Sequence, residues 1–139
     1  MKVDICHVNF SKEFHVAERQ TELLIKALAA YNIPQRLVAR KNSPLAQQCQ
    51  GVSNLSVYEG YEPVTAFFAC RSSKLVHAHD WVGGFIALLS KWIWRVPYIL
   101  IRRLASSPKK KNKAMHLLYQ NASEIIVLTK GSLEAMNKY

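Results

Sequence analysis

Residues Lys74–Arg102 read KLVHAHDWVGGFIALLSKWIWRVPYILIR. Leu75–Ala78 is a short, partly β-branched apolar run, which predicts a strand, with His79-Asp80 at its end. Trp81–Trp94 is apolar almost all round, which predicts a core helix. Pro97–Arg102 (PYILIR) predicts a second strand. Strand, helix and strand in close succession are the repeating unit of a parallel sheet. The same stretch is the most apolar in the chain, but Gly83-Gly84, Lys91, Arg95 and Pro97 interrupt it. Each unbroken piece is too short to cross the ~30 Å of a bilayer core, so a transmembrane span is rejected.

The pattern extends in both directions. Val3–Val8 (VDICHV) predicts a buried first strand, ended by Asn9-Phe10-Ser11. Glu13–Tyr31 predicts a helix whose apolar stripe is Val16, Leu23, Leu24, Ala27, Leu28 and Tyr31. Asn32-Ile33-Pro34 stops it. Arg36–Arg40 and Leu55–Tyr58 predict two more strands. Between them lies a loop with Asn42-Ser43-Pro44 as a turn signal and one short helical turn. Glu62–Cys70 is helical, entering at Pro63. Towards the other end, Leu104–Lys113 reads as a basic loop and Ala114–Asn121 as a short helix. Glu124–Leu128 reads as a sixth strand, and Thr129–Tyr139 begins another helix. The strands are continuous apolar runs, not alternating ones. The fold class is therefore α/β, a doubly wound, mostly parallel six-stranded sheet with helices on both faces.

Half of the 139 residues are apolar, which excludes a disordered chain. The net charge of +10 is unevenly placed: residues 71–139 carry twelve basic and three acidic side chains, residues 1–70 seven and six. Such a one-sided field points to an anionic partner: a phosphate-bearing ligand, an anionic membrane surface or a nucleic acid. Cys6, Cys49 and Cys70 form no CxxC pair and read as reduced thiols of a cytosolic protein. Met1–Phe10 has no long apolar run, so it is not a signal peptide.

Ligands of such sheets bind outside the carboxyl ends of the strands. That places candidates at Asn9, Phe10, Ser11, Arg40, Lys41, Glu59, Gly60, His79, Asp80, Arg102, Arg103, Thr129 and Lys130. His15, Glu18 and Arg19 join them at the start of the first helix, where free N–H groups favour anions. Arginine forks suit phosphate, which favours Arg102 and Arg103, with Lys109, Lys110, Lys111 and Lys113 as a cationic rim. No GxxxxGK[ST] is present, which excludes a P-loop hydrolase. No GxGxxG follows the first strand, and no acidic pair ends it. His77 and His79 share one face of their strand, but no third ligand is evident, so no metal site is assigned.

Several segments, taken together and in order, resemble the N-terminal domain of glycosyltransferases of the GT-B architecture, family-four-like group. Val16-Ala17-Glu18-Arg19-Gln20 with Leu23 and Leu28 resembles "GGAERQ…L…L". Leu37-Val38-Ala39-Arg40 with Ser43-Pro44-Leu45 looks like the second strand and its loop. Val76-His77-Ala78-His79-Asp80-Trp81 resembles "vHaHdw". Tyr119, Ala122 and Ile125–Lys130 resemble "Y..adaiiavS..". The similarity spans nearly the whole chain. Two positions depart from it. His15-Val16 stand where the family has Gly-Gly, and Arg102-Arg103 stand where many relatives carry a histidine.

The resemblance implies one Rossmann-like domain, residues 1–139, on the acceptor side of a cleft, with the C-terminal donor-binding domain absent from this chain. It implies a hexosyltransferase when full length, with this domain inactive alone. Sugar would pass, with retention, from a nucleotide-sugar to a saccharide or lipid-linked acceptor in polysaccharide or lipopolysaccharide synthesis. Its setting would be cytoplasmic, peripheral on the inner membrane face. The nucleotide-sugar is a co-substrate, and no cofactor or metal is implied. His79, Asp80 and Arg103 are the expected catalytic residues. His15, Glu18, Arg19, Arg40, Arg102 and Thr129 are the expected substrate-binding ones. Two rival classes are a basic nucleic-acid-binding module and a small stand-alone Rossmann-like cofactor binder. Against the first, no helix-turn-helix, zinc or aromatic-sheet signature occurs; against the second, the glycine fingerprint is missing.

Overall fold

A computed structural model of the chain describes residues 3–11, 14, 16–60, 63–102 and 113–127. Strands β1 (Val3–Asn9), β2 (Gln35–Arg40), β3 (Leu55–Gly60), β4 (Ser73–Ala78), β5 (Tyr98–Arg102) and β6 (Glu124–Val127) form one sheet. Their order is β3-β2-β1-β4-β5-β6 and every adjacent pair is parallel. The helices between them are α1 (Val16–Ala29), α2 (Pro44–Gln48), α3 (Pro63–Ala69), α4 (Trp81–Trp94) and α5 (Lys113–Asn121). The expected doubly wound α/β sheet is therefore present, and the chain has a Rossmann-like fold. Winding reverses between β1 and β4, so their carboxyl ends flank a crevice at the switch point. Among the described residues no helix is long and apolar enough to cross a membrane.

Predicted and observed elements agree to within a few residues. The short helical turn after Pro44 is α2, with Pro44 in its first turn and the Ser43 hydroxyl accepting from the Ala46 N–H. Asn32, Asn42 and Asn54 adopt left-handed backbone at φ 58°, 60° and 57°, which asparagine tolerates, and each precedes a new element. Leu128, Leu104–Asn112 and the predicted helix Thr129–Tyr139 lie outside the described residues.

Successive strand side chains point to opposite faces. One face carries the larger core: Cys6, Val8, Val38, Val76 and Ala78 pack with Ile86, Ala87, Tyr98, Leu100 and Leu118. The other carries a smaller apolar cluster, Ile25, Leu37, Ala39, Leu45, Ala46 and Cys49. All three cysteines are buried and free. Burial, and then the nearby Glu22 charge, push the Cys49 thiol up to about 11.

Helix α1 corrects the predicted apolar stripe. Leu23 and Tyr31 are exposed, whereas the face against the sheet is Glu18, Thr21, Glu22, Ile25 and Ala29. The strand face beneath is itself polar, with buried His7, Asn9, Gln35, His77 and His79. A polar helix face is what hydrogen-bonds such a surface, so the usual amphipathic rule fails here. Helix α4 departs from the expected burial too. Leu89, Trp92 and Ile93 are exposed, while Trp94 stacks on Phe67 with ring centroids 5.2 Å apart.

The start of α4 lies close against β1. A Cβ built on Gly83 would sit 2.9 Å from the Val8 carbonyl oxygen and 2.7 Å from Asp80 Oδ1. At Gly84 the nearest atom is a flexible Leu118 methyl at 3.1 Å. Gly83→Ala is therefore expected to cost about 2 kcal/mol, as backbone contacts yield poorly. Gly84→Ala should stay within about 0.5 kcal/mol, because helix propensity offsets a small shift of Leu118. Equilibrium denaturation of the two variants checks the contrast.

Candidate functional site

The crevice is built on Asp80. It follows β4, and its extended backbone (φ −144°) caps α4. Oδ1 accepts from the Gly83 N–H at 2.8 Å, the usual N-cap bond. Oδ2 accepts from the Phe10 N–H, also at 2.8 Å, across the crevice. One carboxylate thus joins the end of β1 to the start of α4. The loop after β1 has its own lock: Asn9 Oδ1 accepts from the Ser11 N–H at 3.0 Å. Arg40, at the end of β2, donates from Nε to the Phe10 carbonyl at 3.1 Å. Phe10 is therefore held on its N–H side by an anion and on its carbonyl side by a cation.

Burial raises the Asp80 pKa. The Gly83 and Phe10 N–H bonds oppose this, Glu18 adds to it, and Arg40 opposes it. Glu18 and Arg40 thus act electrostatically on the same carboxylate from α1 and β2. Glu18, in the first turn of α1, is buried.

Behind this rim runs a buried polar chain. The Thr21 Oγ1 lies 3.1 Å from His79 Nδ1, and His79 Nε2 lies 3.1 Å from His7 Nδ1. His7 Nε2 lies 2.8 Å from Gln35 Oε1, and the Gln35 amide donates to the Ile25 carbonyl at 2.9 Å. Burial lowers the His7 pKa to about 4, only partly opposed by the Gln35 bond, so His7 is neutral near pH 7. Beside the chain, buried Glu22 accepts from Lys26 at 2.7 Å and from Arg19 at 2.8 Å. Burial alone would raise the Glu22 pKa, but these two cations bring it below the usual carboxylate range.

The residues singled out in the sequence divide accordingly. Asp80, Arg40 and Glu18 gather at the crevice with Phe10 and Ser11. His79 is buried, 6% exposed, with its ring among the polar groups under α1. Arg19 is half exposed and holds Glu22. Arg102 ends β5, but its side chain lies outside the described residues, as do His15, Arg103 and Thr129. Sequence reasoning missed His7, Thr21, Glu22 and Gln35. The signal available was polar residues on strand and helix faces that should otherwise be apolar.

No protein-family model and no curated protein match the chain. Solved structures do. Anabaena HepE, crystallised with UDP-glucose, superposes with a TM-score of 0.79 at 15% identity over 98% of this chain and 40% of HepE. The Escherichia coli heptosyltransferase WaaC with ADP gives 0.58 at 14% identity, over 99% of this chain and 43% of WaaC. The Methanocaldococcus jannaschii UDP-GlcNAc 2-epimerase gives 0.53 at 10% identity, over 98% of this chain and 38% of the epimerase. The chain thus spans about 40% of the length of these proteins. At such identities the likeness is one of fold: the chain shares its Rossmann-like fold with the matched part of these proteins.

Proposed function

We propose that this chain is the acceptor-side domain of a glycosyltransferase of the family-four-like group. It would serve transfer of a hexosyl group from a nucleotide-sugar to a saccharide or lipid-linked acceptor in cell-surface polysaccharide or lipopolysaccharide synthesis. The observation that carries this reading is the switch-point crevice. Asp80 and Arg40 there fix both backbone polar groups of one residue, Phe10, at the end of β1, where ligands of doubly wound sheets bind. The fold likeness to HepE with UDP-glucose and to the heptosyltransferase WaaC supports the same reading.

Roles follow from chemistry. Asp80 shapes the Phe10–Ser11 loop and is a positioning residue with both oxygens engaged. Arg40 supplies positive charge beside the loop, suited to a phosphate or a developing anion. Arg102 and Arg103 would add to it from the end of β5, with His15, Arg19 and Thr129 on the rim. His79 would act from beneath, holding α1 to the sheet. A second α/β domain would close the cleft and hold most of the nucleotide. The basic half would draw the protein to an anionic inner membrane surface bearing the acceptor.

The test is release of UDP or ADP from UDP- and ADP-linked sugars in the presence of extracted membrane glycolipids. The complete native protein should turn over, and Arg40→Ala should slow release about 10–100-fold, the loss of one charge-assisted contact. An unchanged rate in Arg40→Ala removes the crevice from the mechanism. Release with no sugar appearing on any acceptor rejects transfer.

A further inference from the structure

Three imidazoles meet beneath α1. His7 of β1 stands opposite His77 of β4 in the sheet register, and His79 follows two residues on, on the same face. Their ring centroids lie 4.1 Å (His77 to His79), 5.4 Å (His7 to His79) and 5.6 Å (His7 to His77) apart. One nitrogen from each lies within 4.8 Å of the other two. All three are buried, at 0%, 4% and 6% exposure for His7, His77 and His79.

The hydrogen bonds around the trio direct its outer nitrogens at protein groups. Gln35 donates its amide to Ile25, so its oxygen faces His7 Nε2 and can only accept. His7 Nε2 therefore carries the hydrogen, and its neutral Nδ1 presents a lone pair to His79 Nε2 at 3.1 Å. On the far side, the Thr21 hydroxyl donates to the Ala17 carbonyl at 3.0 Å. Its oxygen is then an acceptor for His79 Nδ1–H at 3.1 Å. With the outer nitrogens of His7 and His79 directed at protein acceptors, their inner nitrogens face each other at 3.1 Å, a spacing that one shared cation suits. Outer nitrogens tied to protein acceptors are also what orients histidine ligands in known metal sites.

We propose that His7, His77 and His79 form a binding site for one divalent transition-metal ion of the zinc class, clipping β1 to β4 under α1. The donor set is three neutral imidazoles without a carboxylate, which suits zinc, cobalt, nickel or copper and disfavours magnesium and calcium. Nitrogens bound at 2.0–2.1 Å stand roughly 3.4 Å apart in a tetrahedral site. The closest pair is at 3.1 Å, and the widest must close by at most about 1.4 Å, shared between two rings. The ion would be structural and separate from the transfer chemistry proposed above.

Untagged full-chain protein, stripped with chelator, is titrated with Zn²⁺ and with Co²⁺. One equivalent should bind. The melting temperature should rise by about 8–10 °C at a hundredfold excess over Kd. Co²⁺ should show the visible bands of a low-coordinate nitrogen site. Exposed His116 on α5 is the control: His116→Ala should keep all three signals, and His77→Gln should lose them. Absence of the Co²⁺ bands and of the melting shift in the unaltered protein overturns the site, and means that Thr21 turns its hydrogen onto His79 instead. Unchanged binding in His77→Gln, or binding lost in His116→Ala, overturns it equally. The unaltered-protein spectrum decides the matter even where His77→Gln does not fold.

Discussion

Asp80→Ala is expected to lower stability by about 3 kcal/mol, more than any other single change at the crevice. The variant loses the N-cap of α4, worth about 1 kcal/mol. It also leaves the Phe10 N–H without its carboxylate partner, and hydrogen bonds to charged groups are worth about 1.5–3 kcal/mol. The bonds concerned are both 2.8 Å and span 70 residues of sequence in one case and three in the other. Asp80→Asn isolates the two parts. An amide offers one oxygen, so one bond survives and the other N–H faces an NH₂. A loss of about 2 kcal/mol is expected for it, between the alanine variant and the native protein. Urea denaturation at neutral pH measures all three. An alanine variant within 0.5 kcal/mol of the native protein would mean that water replaces the carboxylate at no cost.

Gln35→Leu should cost nearly as much, about 2–4 kcal/mol, although Gln35 touches no part of the crevice. Its side chain accepts from His7 and donates to the Ile25 carbonyl, both in the interior. Leucine has a similar volume but strands a buried imidazole N–H, and a buried donor without a partner costs about 1–3 kcal/mol. Gln35→Glu is the informative companion. It keeps the acceptor for His7 and places a carboxylate against the Ile25 carbonyl. It should therefore be no better than leucine at neutral pH and should recover on acidification, as the carboxyl gains a proton to donate. Denaturation midpoints for both variants from pH 7 down to pH 5 check this. A glutamate variant that is most stable at neutral pH contradicts the assigned direction of the chain.

How legible was this molecule in its sequence? The β4–α4–β5 unit was plain, because VHA, YILI and a long apolar helix have distinct periods. Its sheet neighbours followed from the same apolar runs. Asp80 stands at a strand end in both sequence and structure, since the apolar run Leu75–Ala78 stops just before it, but its capping of α4 emerges only in the structure. Phe10 stands among the same strand-end candidates, but its bond to Asp80 was not legible, because it joins residues 70 apart. Helix α1 was read on the wrong face. Its leucines suggested the buried stripe, yet the sheet beneath offers histidines, an asparagine and a glutamine, and Glu18, Thr21 and Glu22 answer them. Only the strand register could reveal this. Register also hid the third imidazole: His77 and His79 are neighbours in sequence, but His7 joins them only when β1 lies beside β4. Gly83 looked like an interruption of an apolar run; its need arises from a carbonyl in another strand.

The proposed reading places the ligand in the crevice between the carboxyl ends of β1 and β4. Hydrogen-exchange mass spectrometry of the protein, with and without nucleotide-sugars and glycolipid acceptors, tests it most directly. Slowed exchange is expected in the segments holding Phe10–Ser11, Arg40–Lys41 and Asp80–Gly84. Unchanged exchange in all three, with a ligand that the protein is seen to transfer, would contradict it.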